Sequence, residues 1–370
     1  PIRGKRKVTM VWTSPPPRPG HPYYMHDAIY AQPGAIRLVL RTNAEILKTV
    51  AGQLKTVDDV LLSGIGTSWH ACLVGELLLA QIGSLGHRVR AFHSFEFRNY
   101  WPDPDPKTGV IVVSHRGTKR FSLEALQKAK AGGGMGVAIT GAGSGEGLEI
   151  ADYLLRTVGQ ESSAAHTVSY TTALAILAAL AAALGGDEKF AAALEAVPNQ
   201  MAALLGQESW EGMVARFRDR RCYYFVGGGP NTATAYEAAL KMNEANYAAT
   251  VGMNCEQVLH GPWAAMEAED LVFLIAPPGP SYERCLALAR VASEVGAPVV
   301  GIVEEGDSEL SSRCAHTVIL PPVPELLTPI LSVVPLQLFT YHLALQRGIN
   351  PDTMRAHQPA YGRARAGLSL

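Results

Sequence analysis

The residues best suited to chemistry lie on one predicted helix. From Thr232 the chain reads T-A-T-A-Y-E-A-A-L-K-M-N-E, which spaces Glu237, Lys241 and Glu244 by four and three residues. Helical periodicity projects all three from one face of a segment otherwise rich in Ala, Leu and Met. An exposed face laced with ion pairs would carry the same residues. Burial would give them another use, because a buried glutamate resists ionisation and can pass a proton near neutral pH. Downstream, His260 lies in L-H-G-P-W, with Glu256 four residues before it. Sugar isomerisation needs such a pair: one base carries a proton between C1 and C2, and another group helps the ring open.

Two turns could hold an anion. In G-I-G-T-S, residues Gly66, Thr67 and Ser68 follow an apolar run and open a helical pattern. Backbone N–H groups at a helix start, with two hydroxyls, suit phosphate. A glycine turn of this kind also serves tight strand-to-helix packing. In V-I-V-V-S-H-R-G-T-K the loop Ser114, His115, Arg116, Gly117, Thr118 and Lys119 follows a second apolar run. Its hydroxyls and two cations favour a phosphate or carboxylate ligand over a solvated loop.

The elements that must position these groups occur twice. V-L-L-S-G-I-G-T-S answers to Y-Y-F-V-G-G-G-P-N, with Gly66 on Gly229. In that alignment Val74, Leu78 and Gln81 occupy the places of Glu237, Lys241 and Glu244. Glu96 falls near Glu256, and Tyr100 falls opposite His260. One copy alone carries the titratable set, which points to where chemistry occurs. Each copy alternates short apolar runs with helical stretches, so each predicts a parallel sheet covered on both faces. The predicted organisation is an arm over residues 1–34, Pro-rich between Ser14 and Pro22, then a helix from near Ala35. A first module over 35–186, a helical linker over 187–216, a second module over 217–349 and a tail over 350–370 follow.

At 370 residues, with 48% hydrophobic and 18% charged residues, the chain has the length and composition of two packed domains. A formal net charge of −1 gives no general attraction to nucleic acid or anionic membrane, and neither is expected as a partner. Five cysteines without C-x-x-C spacing read as reduced, in a cytoplasmic protein. The apolar run Ala173 to Leu184 is too short for a bilayer and reads as a buried helix. The first 25 residues lack the apolar core of a signal peptide. No metal constellation and no nicotinamide fingerprint occur, so no cofactor is expected.

These motifs together resemble the tandem sugar-isomerase (SIS) family that includes the isomerase half of glucosamine-6-phosphate synthases. The resemblance runs from about Met25 to Arg355. It rests on M-H-D-A-I-Y-A-Q-P, G-I-G-T-S, S-F-E-F-R, T-T-A-L-A, E-A-A-L-K-M-N-E and E-Q-V-L-H-G-P, the last two being the most specific. It implies two flavodoxin-like three-layer αβα modules and a homodimer. It implies that Glu244 moves the proton between C1 and C2, that Lys241 sits one turn before it, and that His260 opens the ring from the partner subunit. Ser68 and Ser114 would bind phosphate, with Glu237 beside the substrate. Three departures stand out. Arg116 and Lys119 replace a serine and a threonine of the family's S-Q-S-G-E-T loop, and Pro359 replaces a tail lysine. No glutaminase part precedes the first module in this sequence, so glutamine-driven amination is not expected. The implied function is a phosphosugar aldose–ketose isomerase or deaminase acting on an amino-sugar phosphate or related sugar derivative, with a sugar phosphate or acidic sugar as the small-molecule ligand. The alternative is a non-catalytic sugar-phosphate-binding regulator.

Overall fold

A computed structural model describes residues 15–207 and 210–368; the first fourteen residues of the predicted arm and the last two of the tail lie outside it. The chain opens on a helix, α1 (Tyr24–Leu54), which starts eleven residues before the predicted Ala35. Pro33 and Gly34 look like a break in the sequence, yet the helix runs through them. Proline lacks the amide that would reach the Ile29 carbonyl. The Gln32 side-chain amide donates to that carbonyl instead, at 2.9 Å. The start is fixed by Asp352 of the tail, whose two oxygens accept from the Tyr24 and Met25 amides at 2.8 and 2.9 Å. A carboxylate at a helix N-terminus satisfies amides that have no partner within the helix. The proline-rich segment before α1 forms no helix or strand but is tied down, because Arg18 pairs with Asp27 at 2.7 Å and its carbonyl accepts from Asn350.

The first module comprises β1 (Asp59–Gly64), α2 (Thr67–Gln81), β2 (Val89–His93), α3 (Ser94–Tyr100), β3 (Thr108–Val113), α4 (Arg120–Ala131), β4 (Met135–Ala142), β5 (Tyr153–Gly159) and α5 (Val168–Gly185). Two helices, α6 (Glu188–Leu205) and α7 (Trp210–Phe217), follow. The second module repeats the order with β6 (Tyr223–Gly227), α8 (Asn231–Asn246), β7 (Thr250–Asn254), α9 (Cys255–Leu259), β8 (Leu271–Ile275), α10 (Tyr282–Val295), β9 (Val299–Glu304), β10 (His316–Leu320) and α11 (Thr328–Gln346). A tail helix, α12 (Pro359–Ala366), comes last.

Each module holds a five-stranded parallel sheet, ordered β2-β1-β3-β4-β5 and β7-β6-β8-β9-β10. This is the flavodoxin-like order, in which the switch between the first and third strands opens a crevice at their carboxyl ends. The central strands T-G-V-I-V-V and L-V-F-L-I are buried throughout, which is why continuous apolar runs mark them. Helices α5 and α11 are apolar and long enough to resemble membrane spans. They are 83% and 94% buried within the fold, as helices sandwiched between sheet and neighbour must be. The linker helices are not a loose tether, since α6 packs on α1, α5 and α11.

Strand pairing corrects the predicted alignment of the repeats by one residue. Gly64 pairs with His93, and Gly227 pairs with Asn254. His93 and Asn254 both cap the short helix that follows them. Phe97 and Val258 are then matched buried residues. Asn99, not Tyr100, thus stands opposite His260, and Phe95 stands opposite Glu256.

Candidate active site

The site forms where α2 of the first module packs on α8 of the second. Close approach begins at Gly64, where a Cβ would lie 2.5 Å from the Ser68 carbonyl carbon, so the helix can start directly over the strand. Gly66, at φ +56°, turns the chain into α2 with a backbone that disfavours a side chain. The duplicate shows the same pair: Gly227 faces Asn231, and Gly229 adopts φ +53°.

Glu237, Lys241 and Glu244 share one face of α8, and that face is interior. Glu237 is 0% exposed and Lys241 1%. Thr67 Oγ1 donates to Glu237 Oε1 at 3.1 Å, His70 Nδ1 bonds Oε2 at 2.7 Å, and Lys241 Nζ lies 3.5 Å from Oε1. Lys241 also pairs with Glu244, whose side chain keeps 14% of its exposure. Burial disfavours the lysine charge, but Glu244 and then Glu237 outweigh it and hold the pKa above the ordinary ammonium value. Burial pushes the Glu244 carboxyl up, against the pull of Lys241. A carboxylate ionised by its neighbour yet made more basic by its surroundings suits proton abstraction.

Glu237, expected beside the substrate, has both oxygens engaged by protein and no exposed surface. Lys241 is interior and lies against Glu244. Thr67 gives its hydroxyl proton to Glu237, and the Ser68 amide donates to the Ile65 carbonyl.

The loop after β3 sits across the crevice from α2. Ser114 is buried, its amide bonded to Ile139 and its carbonyl accepting from Thr140 Oγ1. Gly117, at φ +62°, completes the turn. His115 is also interior: its Nε2 accepts from the Glu161 amide at 3.3 Å, which leaves Nδ1–H facing Thr157 Oγ1 at 3.3 Å. Burial pushes the imidazole pKa down, so it is neutral. His115, expected as a ligand contact, has both ring nitrogens engaged by β5 and the segment that follows it. Arg116 donates from Nε to His166 Nε2 at 3.4 Å. Arg116 and Lys119 are half-buried, and Thr118 is exposed. Burial lowers the pKa of both cations; Arg365 adds to this for Arg116, and Arg116 then Arg365 for Lys119.

Sequence reasoning missed His70, Glu161 and His166. Glu161 is buried and accepts from the Thr167 and Ser169 amides, both at 2.9 Å, at the start of α5. Burial opposes its charge, but His166, His115 and those amides outweigh it and hold the carboxyl below its ordinary range. Burial drives His166 down to about 3. Both imidazoles are then uncharged at neutral pH, and the amides remain as donors. His166, Thr67, Ser68, His115 and Ser169 enclose a cavity of about 20 Å³. Lys241 is close enough to act electrostatically on His166, which joins the loop to the α8 face. His260 is elsewhere. Its side chain is 69% exposed and bonds Glu256 at 2.9 Å, and no hydrogen bond or ion pair joins it to Glu244 among the described residues.

Two parallel α/β modules thus pack α2 against α8, with the carboxylate–lysine pair on α8 and the hydroxyl-bearing loop after β3 linked to it electrostatically through His166, an arrangement of the doubly wound class. Residues 53–183 and 216–347 each match the SIS domain, and the chain belongs to that family. It is 34% identical over 349 residues to a glutamine–fructose-6-phosphate aminotransferase [isomerizing] of Thermococcus kodakarensis, across 91% of this chain and 57% of that protein. It therefore spans less than two thirds of that relative. Its fold matches the C-terminal domain of glucosamine-fructose-6-phosphate aminotransferase from Francisella tularensis, at TM-score 0.79 and 20% identity over 90% of this chain and 98% of the other. It also matches a glucosamine-6-phosphate deaminase from Thermotoga maritima, at TM-score 0.72 and 22% identity over 89% and 97%.

Proposed function

We propose that the chain is an aldose–ketose isomerase or deaminase acting on an amino-sugar phosphate or a related acidic sugar. The observation that carries this is Glu244: partly open, made basic by burial, and kept ionised by Lys241. In an open-chain aldose the C2 hydrogen is acidified by the neighbouring carbonyl. Glu244 takes that proton, electrons move into the C1–C2 bond, and the carbonyl oxygen gains negative charge. Return of the proton to C1, with O1 taking up the proton that the C2 hydroxyl or amine gives up, completes the shift, and a C2 amine is lost as ammonia when the resulting imine meets water. Ser68 and the Ser114–Lys119 loop hold the sugar's phosphate. His260 opens the ring from a second copy of the chain, because its exposed position leaves it free to reach a neighbouring site. No step draws on glutamine, so the reaction runs on the sugar phosphate alone. The names of the relatives, one isomerising and one a deaminase, support this chemistry.

The test is hydrogen exchange. The protein should exchange the C2 hydrogen of glucosamine 6-phosphate, or a C1 hydrogen of fructose 6-phosphate, for solvent deuterium. Glu244→Gln should keep ligand binding and lower exchange about 10²–10⁴-fold. Tight sugar-phosphate binding without exchange in the unaltered protein would sink the enzyme reading and leave a sugar-phosphate sensor.

A further inference from the structure

Two thiols of the second module are brought together by the way its helices close on the end of β6. Cys255 opens α9, Cys285 lies in the first turn of α10, and both belong to one apolar cluster. Gly228, just after β6, permits the close approach: a Cβ there would lie 3.0 Å from Cys255 Sγ and 2.2 Å from Ser281 Cβ. Ser281 caps α10, and Cys285 follows on the same face one turn later. The residues next to the two cysteines are tied as well, because Arg284 pairs with Glu256. The Cys285 S–H is thus within reach of the Cys255 sulfur and donates to it. The other acceptor near Cys285, the Ile275 carbonyl, is 3.9 Å away.

The two sulfurs differ in reactivity. The hydrogen bond from Cys285, helped by the Glu256 and Cys255 amides, outweighs burial and brings the Cys255 pKa down to about 7. Donating that bond, and burial, hold Cys285 well above the ordinary thiol value. Cys255 is therefore the sulfur that ionises near neutral pH, and thiolates rather than thiols attack. Cys255 also keeps 3% of its exposure and Cys285 none, so an oxidant little larger than water meets Cys255 first. Solvent approaches from the side of α10 too, where a cavity of about 440 Å³ is lined by Ala276, Gly279 and Tyr282. Among the described residues no hydrogen bond joins any other two cysteines, and burial raises Cys72, Cys222 and Cys314.

We propose that Cys255 and Cys285 are a redox modification site, which a hydroperoxide converts reversibly to a disulfide. The Cys255 thiolate attacks one peroxide oxygen, the O–O bond breaks, and the leaving oxygen takes a proton, giving a sulfenic acid and water or an alcohol. Cys285 then attacks the Cys255 sulfur. The S–S bond forms, the S–O bond breaks, and the departing hydroxide takes the Cys285 proton as water. The sulfur pair loses two electrons and the peroxide gains them. The bond staples α9, with its exposed Glu256–His260 pair, to α10. This inference goes beyond the sugar chemistry and does not depend on it.

Hydrogen peroxide at neutral pH tests it on the intact, reduced chain. Free thiols counted after denaturation should fall from five to three, and peptide mapping should join Cys255 to Cys285. Dithiothreitol should restore all five. Cys285→Ser should leave a sulfenic acid on Cys255 that dimedone captures. Cys255→Ser should slow thiol loss about tenfold or more, the advantage of a half-ionised thiol over an ordinary one at neutral pH. The unaltered chain decides the matter even where a variant does not fold. Survival of all five thiols, loss confined to the half-buried Cys222 and Cys314, or oxidation of Cys255 without a link to Cys285 would overturn the pair.

Discussion

Replacing Lys241 with methionine removes the cation that a buried carboxylate, Glu237, and a partly open one, Glu244, share. Lys241 is 1% exposed and contacts both Glu237 and Glu244. Removing one partner of a buried ion pair costs about 3–5 kcal/mol, because the charge left behind is neither solvated nor paired. Urea unfolding at neutral pH should show a loss of that size with an unchanged slope. The loss should depend on pH. The Glu244 carboxyl already lies above its ordinary range, and Lys241 is what pulls it down. Without Lys241 it rises further, so folded Glu244 binds a proton more readily than unfolded Glu244. Stability of the variant must then fall as pH rises through the carboxylate range, and its deficit must shrink near about pH 5. Adding Glu237→Gln should restore part of the loss, with a coupling of about 0.5–3 kcal/mol for groups in one network. Activity gives an independent reading. If Lys241 acts through Glu244, the acid limb of the exchange rate moves to higher pH and the rate recovers there. An unfolding midpoint equal to that of the unaltered protein, or a deficit that is additive and flat with pH, would refute the buried network.

Further outcomes follow from the same geometry. Arg116→Ser with Lys119→Thr should weaken anion binding by roughly 1.5–3 kcal/mol for each charged hydrogen bond lost, read by titration across a sugar panel; unchanged binding would show that these cations face solvent. The chain should sediment as a dimer at micromolar concentration. His260→Asn should slow reaction of a ring-closed sugar more than that of an open-chain analogue, and a monomer with full activity would defeat the shared-site placement. Glu161→Gln should cost about 1–3 kcal/mol at neutral pH. The Glu161 carboxyl is held below its ordinary range when folded, so its contribution is present above the unfolded pKa and lost as pH falls. The two proteins should converge in stability under acid.

What could be read from the sequence was what period and local runs encode. The central strands are buried on both faces and show as apolar runs, and the Glu237–Lys241–Glu244 spacing fixes one helix face whatever packs on it. The edge strands β5 and β7 escaped notice because partly exposed strands need no such run: Y-L-L-R-T-V-G alternates irregularly in burial, and T-V-G-M-N is half-buried throughout. The start of α1 escaped because its support, Asp352, lies at the other end of the chain. His70 became visible only when α2 was seen to pack on α8, since its partner Glu237 is in the other module. The interior roles of Glu237 and His115 were not legible for the same reason. Residue type suggests a ligand contact, but depth decides whether a ligand can reach it.

The duplication explains why one site arises from two copies. In the second module Asn231 stands where Ser68 stands in the first, and it is turned inward, with Nδ2 donating to Thr328 Oγ1 at 2.8 Å and Oδ1 accepting from Ser332 at 2.8 Å. Its turn is also filled from within. A Cβ at Gly279 would lie 2.5 Å from Glu325 Oε1, and one at Gly229 would lie 3.5 Å from the same oxygen. A carboxyl group of the chain itself thus lies against the turns of the second module. Burial pushes the Glu325 carboxyl up, consistent with that enclosed position. Conversely, α2 carries Val74 and Leu78 where α8 carries Glu237 and Lys241, so the titratable face is found in the second module alone. Because α2 and α8 pack directly on each other, under the proposed function the loop of one module and the titratable face of the other would serve one site. Thr67 and His70 on Glu237 are the bonds that hold the halves in register. Loosening them should misplace Glu244 relative to the loop before it unfolds either module. His70→Ala should therefore lower the exchange rate at saturating sugar more than it lowers binding; an equal loss in both would place His70 in packing alone.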